Sequence, residues 1–96
     1  MPKAYVIADI DVTDPEAFAR YRELSTAAAA AHGGRFIVRG GHAEALEGDR
    51  QPKRVVVLEF DSVDAARAWY DSPEYWEARA ARADAATGSF VLVEGV

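Results

Sequence analysis

The chain opens on a short-period pattern. Lys3–Asp11 (KAYVIADID) is β-branched and aromatic at its centre and predicts a strand. From Thr13 onward the period lengthens. Phe18, Tyr21, Leu24, Ala28 and Ala31 recur every three or four residues, the single apolar stripe of an amphipathic helix. Two start signals serve that helix: Asp14 as cap with Pro15 at the first helical position, or Thr13 and Glu16 as a capping box. Gly33-Gly34 stops it, because glycine accepts the left-handed conformation that follows a helix.

Arg35–Arg39 (RFIVR) predicts a second strand. His42–Glu47 alternates again, so Gly40-Gly41 reads as a bulge within one long bent strand. Gly48–Pro52 is the hairpin loop, and Lys53–Asp61 (KRVVVLEFD) is the strongest strand signal in the chain. Ser62 caps a helix through about Asp71, and Ser72-Pro73-Glu74 interrupts and recaps it. Trp76, Ala80 and Ala83 carry an apolar stripe on toward Gly88, and Ser89–Glu94 is the last strand.

The resulting order, β-α-β-β-α-β, is the split pattern of ferredoxin-like α+β folds, with helices on one face of an antiparallel sheet. The uncovered face should be polar. It is not, since Val55 and Val57 oppose Val56, Leu58 and Phe60 on one strand, and Val91 and Val93 oppose Phe90 and Leu92 on another. No further element is left to cover it. The pattern therefore predicts a homodimer joined through the sheet face.

Ninety-six residues predict a single domain over 1–96, whose small core has no cysteine to staple it. Sixteen acidic against eleven basic residues give a net charge of −5, which argues against nucleic acid as a partner. No apolar run approaches a membrane span. The start, Met1-Pro2-Lys3-Ala4-Tyr5, runs directly into the first strand with no signal-peptide stretch, so a cytoplasmic location is expected. Without cysteine there is no thiolate nucleophile and no Cys-ligated metal, and no nucleotide or serine-nucleophile motif is present. Neither a metal nor a cofactor is expected.

Several words along the chain resemble the domain of unknown function 1330 family. They are Tyr5-Val6-Ile7-Ala8, Asp14-Pro15-Glu16, Gly34-Arg35-Phe36, Val38-Arg39-Gly40-Gly41, Leu58-Glu59-Phe60 and Trp69-Tyr70-Asp71-Ser72-Pro73-Glu74-Tyr75, followed by Gly88 and Phe90-Val91-Leu92-Val93-Glu94-Gly95. The resemblance runs in order over the whole chain and implies a bacterial protein of the dimeric α+β barrel group. That group mixes cofactor-free monooxygenases, muconolactone isomerase-like enzymes, haem proteins and ligand-binding domains of transcription regulators. It implies a small-molecule pocket and selects no chemistry.

Among single residues, Glu59 follows Val55 and Val57 on one strand face. A carboxylate on an apolar surface can serve as a general acid or base, or can pair with an arginine at a dimer rim. Arg39 is expected beside it on the neighbouring strand, as a structural partner or as an anion-binding group whose planar fork suits a carboxylate. His32 closes the first helix, where a cation favours the dipole, and His42 can face a cavity mouth or solvent. Tyr21 and Tyr75 can turn hydroxyls into a pocket or belong to the core. Arg79, one helical turn beyond Tyr75, can join it at an oxygen-rich ligand or pair with Glu74 or Glu77.

Two functional readings follow. In the first the protein binds a small oxygenated compound and is a cofactor-independent isomerase or oxygenase. Glu59 and Arg39 are then catalytic, and Tyr21, His42, Tyr75 and Arg79 contact substrate. In the second it is a non-enzymatic ligand-sensing or dimerisation module in which Glu59 and Arg39 satisfy each other.

Overall fold

The computed structural model describes residues 2–96. Four strands, β1 (Ala4–Val12), β2 (Arg35–Arg39), β3 (Arg54–Phe60) and β4 (Ala86–Glu94), form one sheet in the order β2-β3-β1-β4, every neighbouring pair antiparallel. Three helices accompany it: α1 (Pro15–Ala31), α2 (Val63–Tyr70) and α3 (Pro73–Arg82). This is the ferredoxin-like α+β arrangement expected from the pattern.

Capping chemistry sets the helix starts. Asp14 accepts from the Ala17 N–H at 3.2 Å, which decides between the two start signals of α1 in favour of Asp14 with Pro15 behind it. Ser62 accepts from Ala65 N–H at 3.1 Å and Ser72 from Tyr75 N–H at 3.1 Å, so the Ser-Pro word splits one helical region into two. The second region is shorter than its stripe implied. α3 ends at Arg82 and β4 already begins at Ala86, because Ala85 is pinned through its carbonyl to the N–H groups of Thr13 and Asp14. Its buried face is Tyr75 and Ala78, whereas Trp76 is 55% exposed.

Period-two alternation divides the sheet cleanly. Ala4, Val6, Ala8 and Ile10 of β1 and Val56, Leu58 and Phe60 of β3 are buried beneath the helices. They form the core with Trp69, Tyr75, Phe18 and Tyr21. The opposite face carries an apolar row that crosses all four strands. Val38 stands beside Val57, Val57 beside Ile7, and Ile7 beside Val91. Ile7 is 41% and Val91 56% exposed.

Strand β2 departs from expectation twice. It stops at Arg39, and 42–47 is irregular rather than a continuation of the strand. The bulge lies earlier, between Phe36 and Val38, where the pairing with β3 shifts by one residue. A one-residue slip exchanges the faces of everything beyond it. Arg35 therefore pairs opposite Glu59 on the outer face, while Arg39 pairs opposite Val56 on the helix face.

Candidate functional site

That slip separates the two residues expected to act together. Glu59 accepts from Arg35, its side chain only 11% exposed, and Arg39 lies on the other side of the sheet. The Arg35 hydrogen bond and charge, with smaller help from Tyr5 and Lys3, hold the Glu59 carboxyl below the ordinary carboxylate range. An Arg39–Glu59 pair, whether catalytic or structural, is thus replaced by an Arg35–Glu59 pair.

Arg39 instead closes one end of a cleft between the sheet and the helices. Its floor is built from Ala8 and Ile10 of β1, Val56 and Leu58 of β3, Phe36 of β2 and Phe90 of β4; Phe18, Tyr21, Arg22 and Ser25 of α1 and Trp69 of α2 roof it. Its cavity volume is about 20 Å³, a narrow slot with room for about one water at rest.

Three guanidinium groups line it. The Arg39 group lies 3.9 Å above the Phe36 ring and donates to Thr26 Oγ1 at 2.6 Å and to the Arg22 carbonyl at 3.4 Å. Arg54 lies 5.6 Å from the Phe18 ring and against Gly40, where an added Cβ would sit 2.4 Å from its Nη1. Gly40 also has φ +71°, so the glycine does admit a close neighbour, namely Arg54. Partial burial, then the like charges of Arg22 and Arg54, lower the Arg39 pKa from the usual arginine value.

The other expected contacts disperse. Tyr21 lines the cleft, and its hydroxyl meets that of Tyr75 at 2.8 Å. Tyr75 is fully buried behind it; burial, followed by the neighbouring Tyr21, pushes its phenol well above the usual tyrosine range. Arg79 stacks between the Tyr70 ring at 4.7 Å and the Trp76 ring at 4.4 Å, on a separate surface. His42 is exposed in the loop, 3.6 Å from Glu44, and His32 caps α1 with Nε2 3.5 Å from Glu74.

Residues the sequence did not single out complete the site: Arg22, Arg54 and the phenylalanines. Arg54 carried a legible signal, since it shares strand parity with Val56, Leu58 and Phe60 and so places a charge on the core-facing register. Among the described residues no three His, Cys, Asp or Glu side chains converge as a metal site, and no helix is long and apolar enough to cross a membrane.

The sequence profile of a domain of unknown function, DUF1330, matches residues 3–96. The chain belongs to the DUF1330 family. No curated protein matches it. Solved structures do. RPA0582 from Rhodopseudomonas palustris, of unknown function, is 20% identical with a TM-score of 0.80 over 99% of this chain and 83% of that one. SnoaB, a cofactor-independent oxygenase from Streptomyces nogalater, is 18% identical with a TM-score of 0.71 over 100% and 95%. A dimeric ferredoxin-like protein of unknown function from Thermobifida fusca is 20% identical with a TM-score of 0.65 over 98% and 92%. At these identities the likeness concerns the fold.

Proposed function

We propose that this DUF1330 protein is a homodimer that binds a small, largely apolar molecule in the cleft between sheet and helices of each subunit. The cleft carries the reading. A gap walled by Phe18, Tyr21, Phe36, Trp69 and Phe90, with polar groups at one end, has the composition of a ligand site. The dimer is supported by the apolar row Val38–Val57–Ile7–Val91. It is supported also by a surface of 6102 Å², against the roughly 5,400 Å² that a compact monomer of this mass would expose. The dimeric Thermobifida fusca structure agrees.

A second reading, a cofactor-independent isomerase or oxygenase acting on a small oxygenated compound, is favoured by the likeness to SnoaB. Against it, among the described residues that line the cleft there is no carboxylate or imidazole, and the Tyr21 hydroxyl, the phenol that could move a proton there, is engaged with Tyr75. Glu59, on the far face with Arg35, fits an interface ion pair better than a base for this cleft. Binding is therefore the better supported function.

Tryptophan emission tests it. Trp69 lines the cleft and Trp76 does not, so a Trp76→Phe variant isolates the relevant signal. Across a panel of small aromatic and alicyclic metabolites, a cleft ligand changes Trp69 emission and raises the melting temperature. At 100 times its Kd it adds about 2.7 kcal/mol, which for this size moves Tm by roughly 10–20 °C. A stabilising ligand that leaves Trp69 emission unchanged would refute the location. A ligand turned over with consumption of O2 would move the enzymatic reading ahead.

A further inference from the structure

The cleft is unusual in what its polar end lacks. The chain has sixteen carboxylates, and ion pairs engage Lys3, Arg20, Arg35 and Arg50. Among the described residues no carboxylate engages Arg22, Arg39 or Arg54, the three that share the cleft; Arg67, Arg79 and Arg82 elsewhere also lack one, but only the cleft gathers three around one gap. Arg39 and Arg54 sit diagonally on adjacent strands of the same face, since Arg39 stands opposite Val56 and Arg54 lies two residues before it. Clustered like charges at the edge of a low-dielectric site repel one another.

Hydrogen bonding points the same way. Buried polar atoms are nearly always partnered. Among the described residues Arg54 Nε and Trp69 Nε1, both on residues that line the cleft, are buried without an acceptor. Trp69 is 1% exposed. Both atoms are donors and neither can accept. The hydroxyls nearby are already engaged, Tyr21 with Tyr75 and Ser25 with the Arg22 carbonyl at 3.3 Å. The site therefore presents donors and positive charge together over aromatic walls.

We propose that the molecule held in this cleft is a small aromatic or alicyclic carboxylate, its ring against Phe18, Phe36 and Phe90 and its carboxylate received by Arg39 and Arg54. The inference rests on the cleft being the ligand site and adds the chemical class. A carboxylate is acceptor-only and planar, matching the guanidinium fork, whereas a neutral amide or alcohol brings a donor of its own into a donor-lined end. Binding also relieves the repulsion within the arginine cluster. The resting slot is tight, so Arg39 and Arg54 shift outward as the ligand enters.

The probes are benzoate and phenylacetate, each against its amide, titrated into the Trp76→Phe protein with Trp69 emission and backbone amide NMR shifts as readouts. The expected result is that the acids shift cleft resonances, bind at least ten times more tightly than the amides, and weaken as salt rises. Arg54→Met and Arg39→Gln each remove most of that preference. Thermal melts and the dimer mass report whether each variant is folded, and the acid–amide comparison in the unsubstituted cleft needs neither variant. Equal binding of acid and amide would overturn the carboxylate while leaving the cleft as the ligand site, and so would tighter binding of phenyl phosphate. No cleft response to any probe at 10 mM would overturn the proposal, and the emission panel decides the fate of the cleft itself.

Discussion

The hydroxyl oxygens of Tyr21 and Tyr75 lie 2.8 Å apart where α1 meets α3, and neither residue is more than 6% exposed. Among the described residues each phenol is the other's only side-chain hydrogen-bond partner, and the contact joins the cleft wall to the core. Removing one hydroxyl leaves the other buried and unsatisfied, which costs about 1–3 kcal/mol, whereas removing both approaches neutrality. Tyr21→Phe and Tyr75→Phe should each lower Tm, and the double variant should lose less than their sum. Additive losses in urea melts would mean that the hydroxyls act independently.

Titration of Tyr75 carries a sign. Its pKa is raised, so the folded state favours the neutral phenol. The stability held by that protonated form is complete below about pH 10, the ordinary unfolded tyrosine value, and falls as pH rises beyond it. Stability should therefore fall less steeply with pH above about pH 10 in the Tyr75→Phe protein, whatever its stability at neutral pH. The same slope for both proteins would exclude Tyr75 as a contributor.

Glu59 has the opposite sign. Its carboxyl is held below the ordinary range by Arg35, so the stability it supplies is present above about pH 4.5 and is lost as pH falls through the depressed folded value. Urea melts between pH 2 and 7 should show a flatter acid limb for Glu59→Gln. If Arg35→Gln leaves the limb unchanged, the pair is not its source.

The apolar row predicts assembly. Ile7 stands at its centre, between Val57 and Val91. Ile7→Lys should convert a species of twice the 10.4 kDa chain mass into a monomer in sedimentation at micromolar concentration, because burying an unpaired ammonium costs several kcal/mol. A dimer that survives this change uses another surface.

Close packing at Gly34 gives the fifth test. A Cβ there would lie 2.5 Å from the ring of Phe60, which is itself buried, whereas one at Gly41 meets nothing within 4 Å. Gly34→Ala should cost about 1–3 kcal/mol by overpacking and Gly41→Ala within about 0.5 kcal/mol. Equal melting temperatures would mean that Phe60 moves aside freely.

The sequence by itself determined the element order, the helix starts, the ferredoxin-like sheet and its two apolar faces. These follow from local rules: Asp14, Ser62 and Ser72 cap within three residues of themselves, and alternation along β1 and β3 needs no distant partner. The charge at Arg54 on a core-facing register was legible for the same reason. Tertiary structure decided which residues share a site. Arg35 and Arg39 have the same parity in sequence, and only the bulge between Phe36 and Val38, formed by pairing with β3, sends one to Glu59 and the other to the cleft. The cleft likewise gathers residues far apart along the chain, from Ala8 of β1 through Tyr21 of α1 and Trp69 of α2 to Phe90 of β4, which no local pattern brings together.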